Sequence, residues 1–414
     1  MTPQNHRRTT ETQSLPVEQF SVFLWNSVTS VVWLVFSHEA EVYFEPESME
    51  PTQLFQAMVE RNASDLFLKV GATPFLRIHG KLVACGSERL DRAALLQLTY
   101  DLMGPERQQI FQAQRELNFA FERPPIGRFR ANALWERGSF ALVIRRIQDH
   151  IPGFEELHLP AQVLRRLAEE HQGLVLICGP TGSGKSTTAA AILEHINQTK
   201  ACHIVTLEDP IEFMFGEKRS VINQREVGVD TRSFSEGLKN VLRQSPDVLF
   251  ISDIRDRETM ESALLAAESG QLVLSCIHTT NVLTTMERIA AFFPTHQQQT
   301  IRFRLSLVLK GLVCLRLLAR QDAAGQVPAC ELLVMTPTIR ELLREGKPEQ
   351  IPTLLHDGTL HGMQTMTQAL YRLVRTGTVS LPEALRVADS PEELELAIQE
   401  IRATKDVPDP TKPA

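Results

Sequence analysis

The stretch Gly179–Ser186, GPTGSGKS, constrains the fold of this chain more than any other. It matches the pattern G-x-x-x-x-G-K-[ST] in full, after the apolar run LVLICG and before TTAAAILEHIN, a helical stretch. Gly179, Gly182 and Gly184 let the backbone turn tightly and aim its N–H groups at phosphate oxygens. Lys185 supplies positive charge to the β and γ phosphates of a nucleoside triphosphate, ATP in the usual case, and the Ser186 hydroxyl is suited to ligate Mg²⁺. Pro180, Thr181, Ser183 and Thr187 complete the candidate binding loop, and the positive end of the helix adds to it.

Such a loop needs a sheet beneath it. Residues 174–179, 203–208, 247–252 and 272–279 are short and nearly continuous in Val, Ile and Leu, as strands buried on both faces are. Helical stretches alternate with them. Ser233 and Glu236 have the S-x-x-E spacing of a capping box, Pro246 is expected to close that helix, and Gly270 to end the next. The alternation predicts an α/β fold with a mainly parallel sheet, helices on both faces and ligands at the carboxyl ends of the strands. A helical portion follows from 337 to 401, and KDVPDPTKPA belongs to a disordered tail, 402–414.

With 414 residues the chain has room for two or three domains. Residues 49–147 carry an α+β pattern: a helix in MEPTQLFQAMVERNAS, strands broken at Gly71 and His79-Gly80, a helical piece near 90–102, and strands through GRFRANALWERGSFALVIRRI. Residues 148–160 form a linker before the nucleotide domain, 161–401. Residues 1–48 are expected to be an extension, disordered or not translated. Its apolar stretch 20–37 is interrupted by Ser, Asn and Thr and is a marginal match to the about 20 apolar residues of a membrane span.

The net charge of −7 gives nucleic acid no basic footprint on the chain as a whole. The six cysteines are scattered without a C-x-x-C pair, so they read as buried reduced thiols rather than a zinc site. Three carboxylates in TLEDPIEF, Glu208, Asp209 and Glu212, end one strand and are placed to orient water or support a metal ion. His278 ends another, where an imidazole can sense or polarise a γ-phosphate. Ser252 and Asp253 end a third, where Asp253 is a candidate Mg²⁺ anchor, a carboxylate for catalysis, or a cap for the next turn.

Together, GPTGSGKSTTAAAILEHIN, HIVTLEDPIEF, VINQREVGVDTRSF, LRQSPDV, IRDRET and HTTN resemble the type IV pilus retraction ATPases of the secretion ATPase superfamily. The resemblance implies a PAS-like N-terminal domain, a RecA-like ATPase domain and a homohexamer at the cytoplasmic, inner-membrane base of a pilus machine. It implies ATP and Mg²⁺ as cofactors, an inner-membrane platform protein and a paralogous retraction ATPase as partners, and peripheral membrane association through the machine. In that frame Glu208 is the prime catalytic carboxylate, DVLFISD the Walker B segment, and His278 part of the His box. Arg130 and Arg145, with Arg128 and Arg146 behind them, resemble arginines that reach the phosphates from the N-terminal domain. TIRELLREGK resembles a segment associated with retraction, through Ile339, Arg340, Leu342, Arg344 and Glu345. The family carries Gly-Glu where this chain has Ser252-Asp253. Aspartate is shorter by one methylene, roughly 1.5 Å, so ATP turnover is expected to be slow. The alternative that Ser252-Asp253 favours is a weakly active or inactive nucleotide-binding accessory subunit working with an active paralogous retraction ATPase.

Overall fold

The computed structural model describes residues 51–78, 80–147 and 150–405. The whole expected N-terminal extension, 1–48, with its stretch 20–37, and residues 406–414 lie outside these.

The N-terminal part runs α1 (Pro51–Glu60), β1 (Asp65–Lys69), β2 (Phe75–Ile78), β3 (Lys81–Ala84), α2 (Arg92–Met103), α3 (Pro105–Gln114), β4 (Glu116–Arg123), β5 (Gly127–Glu136) and β6 (Ser139–Arg146). Its six strands form an antiparallel sheet in the order β3-β2-β1-β6-β5-β4. Period-two alternation selects its core: Phe129, Ala131 and Ala133 of β5 are buried with Leu54, Phe55 and Met58 of α1 and Leu95 of α2. Arg128, Arg130 and Asn132 between them take the other face.

The second part continues with α4 (Ala161–Glu169), β7 (Gly173–Cys178), α5 (Lys185–Thr199), β8 (His203–Glu208), β9 (Val221–Glu226), α6 (Phe234–Val241), β10 (Val248–Ile251), α7 (Arg257–Glu268), β11 (Leu272–Ile277), α8 (Val282–Ala291) and α9 (Thr295–Val308). A hairpin, β12 (Leu309–Ala319) and β13 (Gln326–Val334), precedes α10 (Pro337–Glu345), α11 (Ile351–Asp357), α12 (Met366–Arg375), α13 (Leu381–Val387) and α14 (Pro391–Lys405). The seven-stranded sheet has the order β13-β12-β7-β11-β10-β8-β9. All neighbours are parallel except β12 and β13, so the expected parallel sheet carries one antiparallel edge strand.

Both faces of this sheet are covered, which is why its central strands are apolar throughout. Leu174, Leu176 and Cys178 of β7 enter one core with α6 to α9, while Val175 and Ile177 enter the other with α4 and α5. Two helix ends differ from expectation. α6 stops at Val241, five residues before Pro246, because turns at Asn240–Arg243 and Val241–Gln244 already close the chain. Ser233 accepts from the Glu236 N–H, which is the N-cap half of the expected box. α14 runs to Lys405, past the expected boundary at 401, since RATK contains nothing that breaks a helix.

Candidate active site

The loop Gly179–Gly184 leaves β7 at the carboxyl edge of the sheet and turns into α5. Gly179 has φ 149° and sits so close to its surroundings that an added Cβ would lie 2.2 Å from Ser183 Oγ and 2.7 Å from Leu315 O. No side chain fits there. Gly184, with φ 92°, occupies the N-cap of α5 and lets Lys185 begin the helix.

Lys185 is nearly buried. Its Nζ donates to Gly179 O and Pro180 O at 2.9 Å each, and lies 3.4 Å from His278 Nδ1. Burial lowers its pKa from the ordinary lysine value. An ammonium donates only, so His278 Nδ1 accepts and the ring's Nε2 carries the proton. That Nε2 stands 3.1 Å from Asp253 Oδ2. Arg255 Nε donates to the same oxygen at 2.6 Å. Lys185, His278, Asp253 and Arg255 thus form one connected set drawn from the ends of three adjacent parallel strands, β7, β11 and β10.

Asp253 does not cap the next helix. Asp256 does, accepting from Thr259 N–H, which leaves Asp253 turned inward at 6% exposure. Its Oδ1 is buried with no hydrogen-bond partner among the described residues, as is Ser183 Oγ. Ser252 accepts from Asp209 N–H at 3.1 Å and so ties the end of β10 to that of β8.

Glu208, at the end of β8, is 4% exposed. Its Oε1 accepts from Thr206 Oγ1 at 2.6 Å and from Gln224 Nε2 at 3.1 Å. Burial outweighs these bonds and pushes its pKa up to about 7. Ser186 donates to Glu212 Oε1 at 3.0 Å. Ser186, Glu208, Glu212 and Ser252 border one small cavity of about 10 Å³, the room of a single water molecule. A larger cavity of about 230 Å³ opens on another side of the loop, between Gly184 and Thr187 and the apolar Leu157, Leu159, Leu317 and Pro328.

A family model described as type II/IV secretion system protein matches residues 50–386. The chain belongs to that family. It is 38% identical over 351 residues to the type IV pilus ATPase PilU of Pseudomonas aeruginosa, covering 85% of this chain and 92% of that protein. It is also 38% identical over 344 residues to the type IV pilus retraction ATPase PilT of that organism, covering 83% and 99%. The crystal structure of the pilus retraction motor PilT with bound ADP superposes with a TM-score of 0.79 at 41% identity, covering 84% of this chain and all of that one.

Against this secretion-family fold, the sequence-derived residues divide. Lys185, Asp253 and His278 come together; Ser186 and Glu208 line one cavity beside them. Arg130 and Arg145 form a cross-strand pair on the N-terminal sheet, and Arg145 is already engaged: its Nε donates to Asp65 Oδ1 at 2.8 Å. Arg77 approaches the other oxygen of Asp65 at 3.4 Å, so this buried acid is held from both sides. The Arg130 side chain has no ion pair or hydrogen bond among the described residues. Arg340 and Arg344 of α10 bind Ser306 and so cap the last turn of α9, with Ile339 and Leu343 buried beneath them. Sequence reasoning missed Gln224 and Arg255. Both lie in runs that carry the resemblance, Gln224 in VINQREVGVDTRSF and Arg255 in IRDRET, but neither received a role; the β8–β9 register sets Gln224 opposite Thr206.

Proposed function

We propose that this protein is an ATP-hydrolysing motor that powers type IV pilus retraction as a homohexamer. The observation that carries the proposal is the Lys185–His278–Asp253 set at the P-loop with buried Glu208 beside it, in a chain similar to PilT over almost all of PilT's length. The order of the N-terminal sheet supports a PAS-like domain, residues 49–147, and the parallel sheet supports a RecA-like ATPase domain, residues 161–401, after a linker at 148–160.

Each residue has a role its position suits. The loop amides and the start of α5 hold phosphate oxygens, and Lys185 neutralises charge that develops on them. The apolar cavity beside Gly184 suits an adenine ring. His278, fixed as the Nε2–H tautomer by Asp253, presents Nδ1 toward the same space as Lys185 Nζ and reports the γ-phosphate there. Glu208, near neutrality in its pKa, takes a proton from water held in the cavity it shares with Ser186.

The orphaned Asp253 Oδ1 and the Ser186 hydroxyl fit Mg²⁺, which takes one or two protein oxygens and completes its shell with phosphates and water. Bound there, Mg²⁺ would offset negative charge on the β and γ phosphates. Asp253 supplies this anchor without the longer reach of glutamate, and Ser252 uses its hydroxyl to brace Asp209. Slow turnover follows from that shorter reach. Arg130, whose side chain is unengaged among the described residues, is the stronger candidate for reaching the phosphates; Arg145 supports Asp65. The partners are an inner-membrane platform protein and a paralogous retraction ATPase, at the cytoplasmic base of the pilus machine.

Steady-state Mg²⁺-ATP turnover tests this. Lys185→Ala is expected to lose on the order of 10²-fold or more, Asp253→Ala to fall, and Asp253→Glu to keep or raise the rate. Turnover of the unaltered protein no higher than that of Lys185→Ala would overturn the motor reading.

A further inference from the structure

The segment that carries His278 into α8 is gripped from outside by the β12–β13 hairpin. Glu331 of β13 accepts from Val282 N–H, the first residue of α8, through Oε2 at 3.3 Å. Arg316 of β12 donates through Nη2 to Thr280 O at 3.3 Å. The register pairs Cys314 with Glu331, so Arg316, two residues along, stands diagonal to Glu331 on the same face of the hairpin. Both side chains are largely buried: Glu331 is 8% exposed and the Arg316 side chain 11%.

Arg316 has a second attachment. Its Nη1 donates to Val387 O, and Nη2 meets Asp389 Oδ1 at 2.5 Å, just past α13. One guanidinium therefore joins the loop after β11 to the C-terminal helices. The loop's own bonds do not replace this grip. Asn281 caps α8, and Thr285 Oγ1 bonds Asn281 O at 2.7 Å, but both act within the segment that Arg316 and Glu331 hold in place. Burial pushes the Glu331 carboxyl up to about 7, with Asp389 adding to the shift and Arg316 opposing it; charged or neutral, its oxygen accepts from Val282.

We propose that Arg316 and Glu331 are positioning residues for His278, and that Arg316 transmits the position of the 278–282 segment to the C-terminal helices at Val387–Asp389. The catalytic half of this rests on the ATPase reading; the mechanical half does not. Neither residue belongs to the Lys185–His278–Asp253 set. Their effect is to hold His278 where Asp253 and Lys185 meet it, and a displacement near 1 Å at such a group costs about 10²-fold in rate.

Two measurements on the full chain test this. The first is hydrogen exchange at amides 278–284, which needs no turnover. Glu331→Ala and Asp389→Ala are expected to speed exchange there about ten-fold or more. The second is kinetics. Glu331→Ala is expected to lower kcat about ten-fold or more with KM for ATP within about two-fold, and Glu331→Gln, which keeps an accepting oxygen, to recover most of that rate. In a His278→Ala background, Arg316→Ala should cost nothing further. If Arg316→Ala does not fold, Asp389→Ala, at an exposed position, takes its place in that background.

Unchanged exchange at 278–284 would overturn the brace. Faster exchange with unaltered kcat, or losses that add to those of His278→Ala, would overturn the positioning role. A wild-type protein without turnover would count against the ATPase reading alone, and the exchange result would still decide the brace.

Discussion

Glu208 joins two consequences of burial in one side chain. Its pKa of about 7 exceeds the ordinary 4.5, so the folded chain binds this proton more tightly than the unfolded chain does. The stability it contributes is full below about 4.5 and is lost as pH rises through about 7. Glu208→Gln removes the titration while keeping an oxygen that accepts from Thr206 and Gln224. The variant should therefore melt above wild type at pH 8, by on the order of 3 kcal/mol at most, and the gap should close toward pH 5. Turnover should move the other way. A general base must be unprotonated, so the wild-type rate falls as pH drops below about 7, and the glutamine variant is slower by about 10²-fold or more. Calorimetry and a pH–rate profile check both signs. Turnover of Glu208→Gln within two-fold of wild type would remove Glu208 from the chemistry, leaving only its cost to stability.

At the scale of elements, the N-terminal sheet sets Arg130 and Arg145 side by side but gives them different work. Arg145 and Arg77 hold Asp65, which is 3% exposed, whereas Arg130 holds nothing among the described residues. Arg145→Ala should thus lower stability by about 1–2 kcal/mol, since the buried carboxylate loses the partner of Oδ1 and keeps only Ser64 and Arg77 on Oδ2. Arg130→Ala should leave the melting midpoint nearly unchanged and lower turnover about 10²-fold. Full turnover in Arg130→Ala would sink the phosphate role; an unmoved midpoint in Arg145→Ala would sink the structural one. The sequence could not separate the two, because Asp65 lies 80 residues from Arg145 and meets it only through the β1–β6 register. The same physics divides the rest of the fold. Strands β7, β8, β10 and β11 were legible because burial on both faces leaves a run of Val, Ile and Leu. The β12–β13 hairpin was not, because α9 ends at Val308 and β12 begins at Leu309 with no glycine or proline between them. An apolar run without punctuation does not distinguish helix from strand. Arg316 and Glu331 stayed hidden with it, since their contacts span 36 and 49 residues.

On the scale of the whole molecule, a motor differs from six independent enzymes by what one subunit's turnover requires of the next. The connection from His278 through Arg316 to Val387–Asp389 ties the nucleotide site to helices outside the sheet, where movement has somewhere to go. The Arg316 guanidinium, on a side chain 11% exposed, holds Thr280, Val387 and Asp389 at once, and on the proposed brace the helices follow the loop rather than absorb its motion. If subunits in a ring are coupled in this way, a subunit that cannot turn over blocks its neighbours. Lys185→Ala is suited to act as that subunit, because Lys185 lies at the P-loop and away from the sheet cores that hold the fold. In rings assembled with equal amounts of wild-type and Lys185→Ala chains, turnover should fall well below about half of the wild-type value. A decline in strict proportion to the altered fraction would mean that each subunit hydrolyses alone. ATP hydrolysis would survive that result, but a cycle in which subunits act in concert to withdraw a fibre would not.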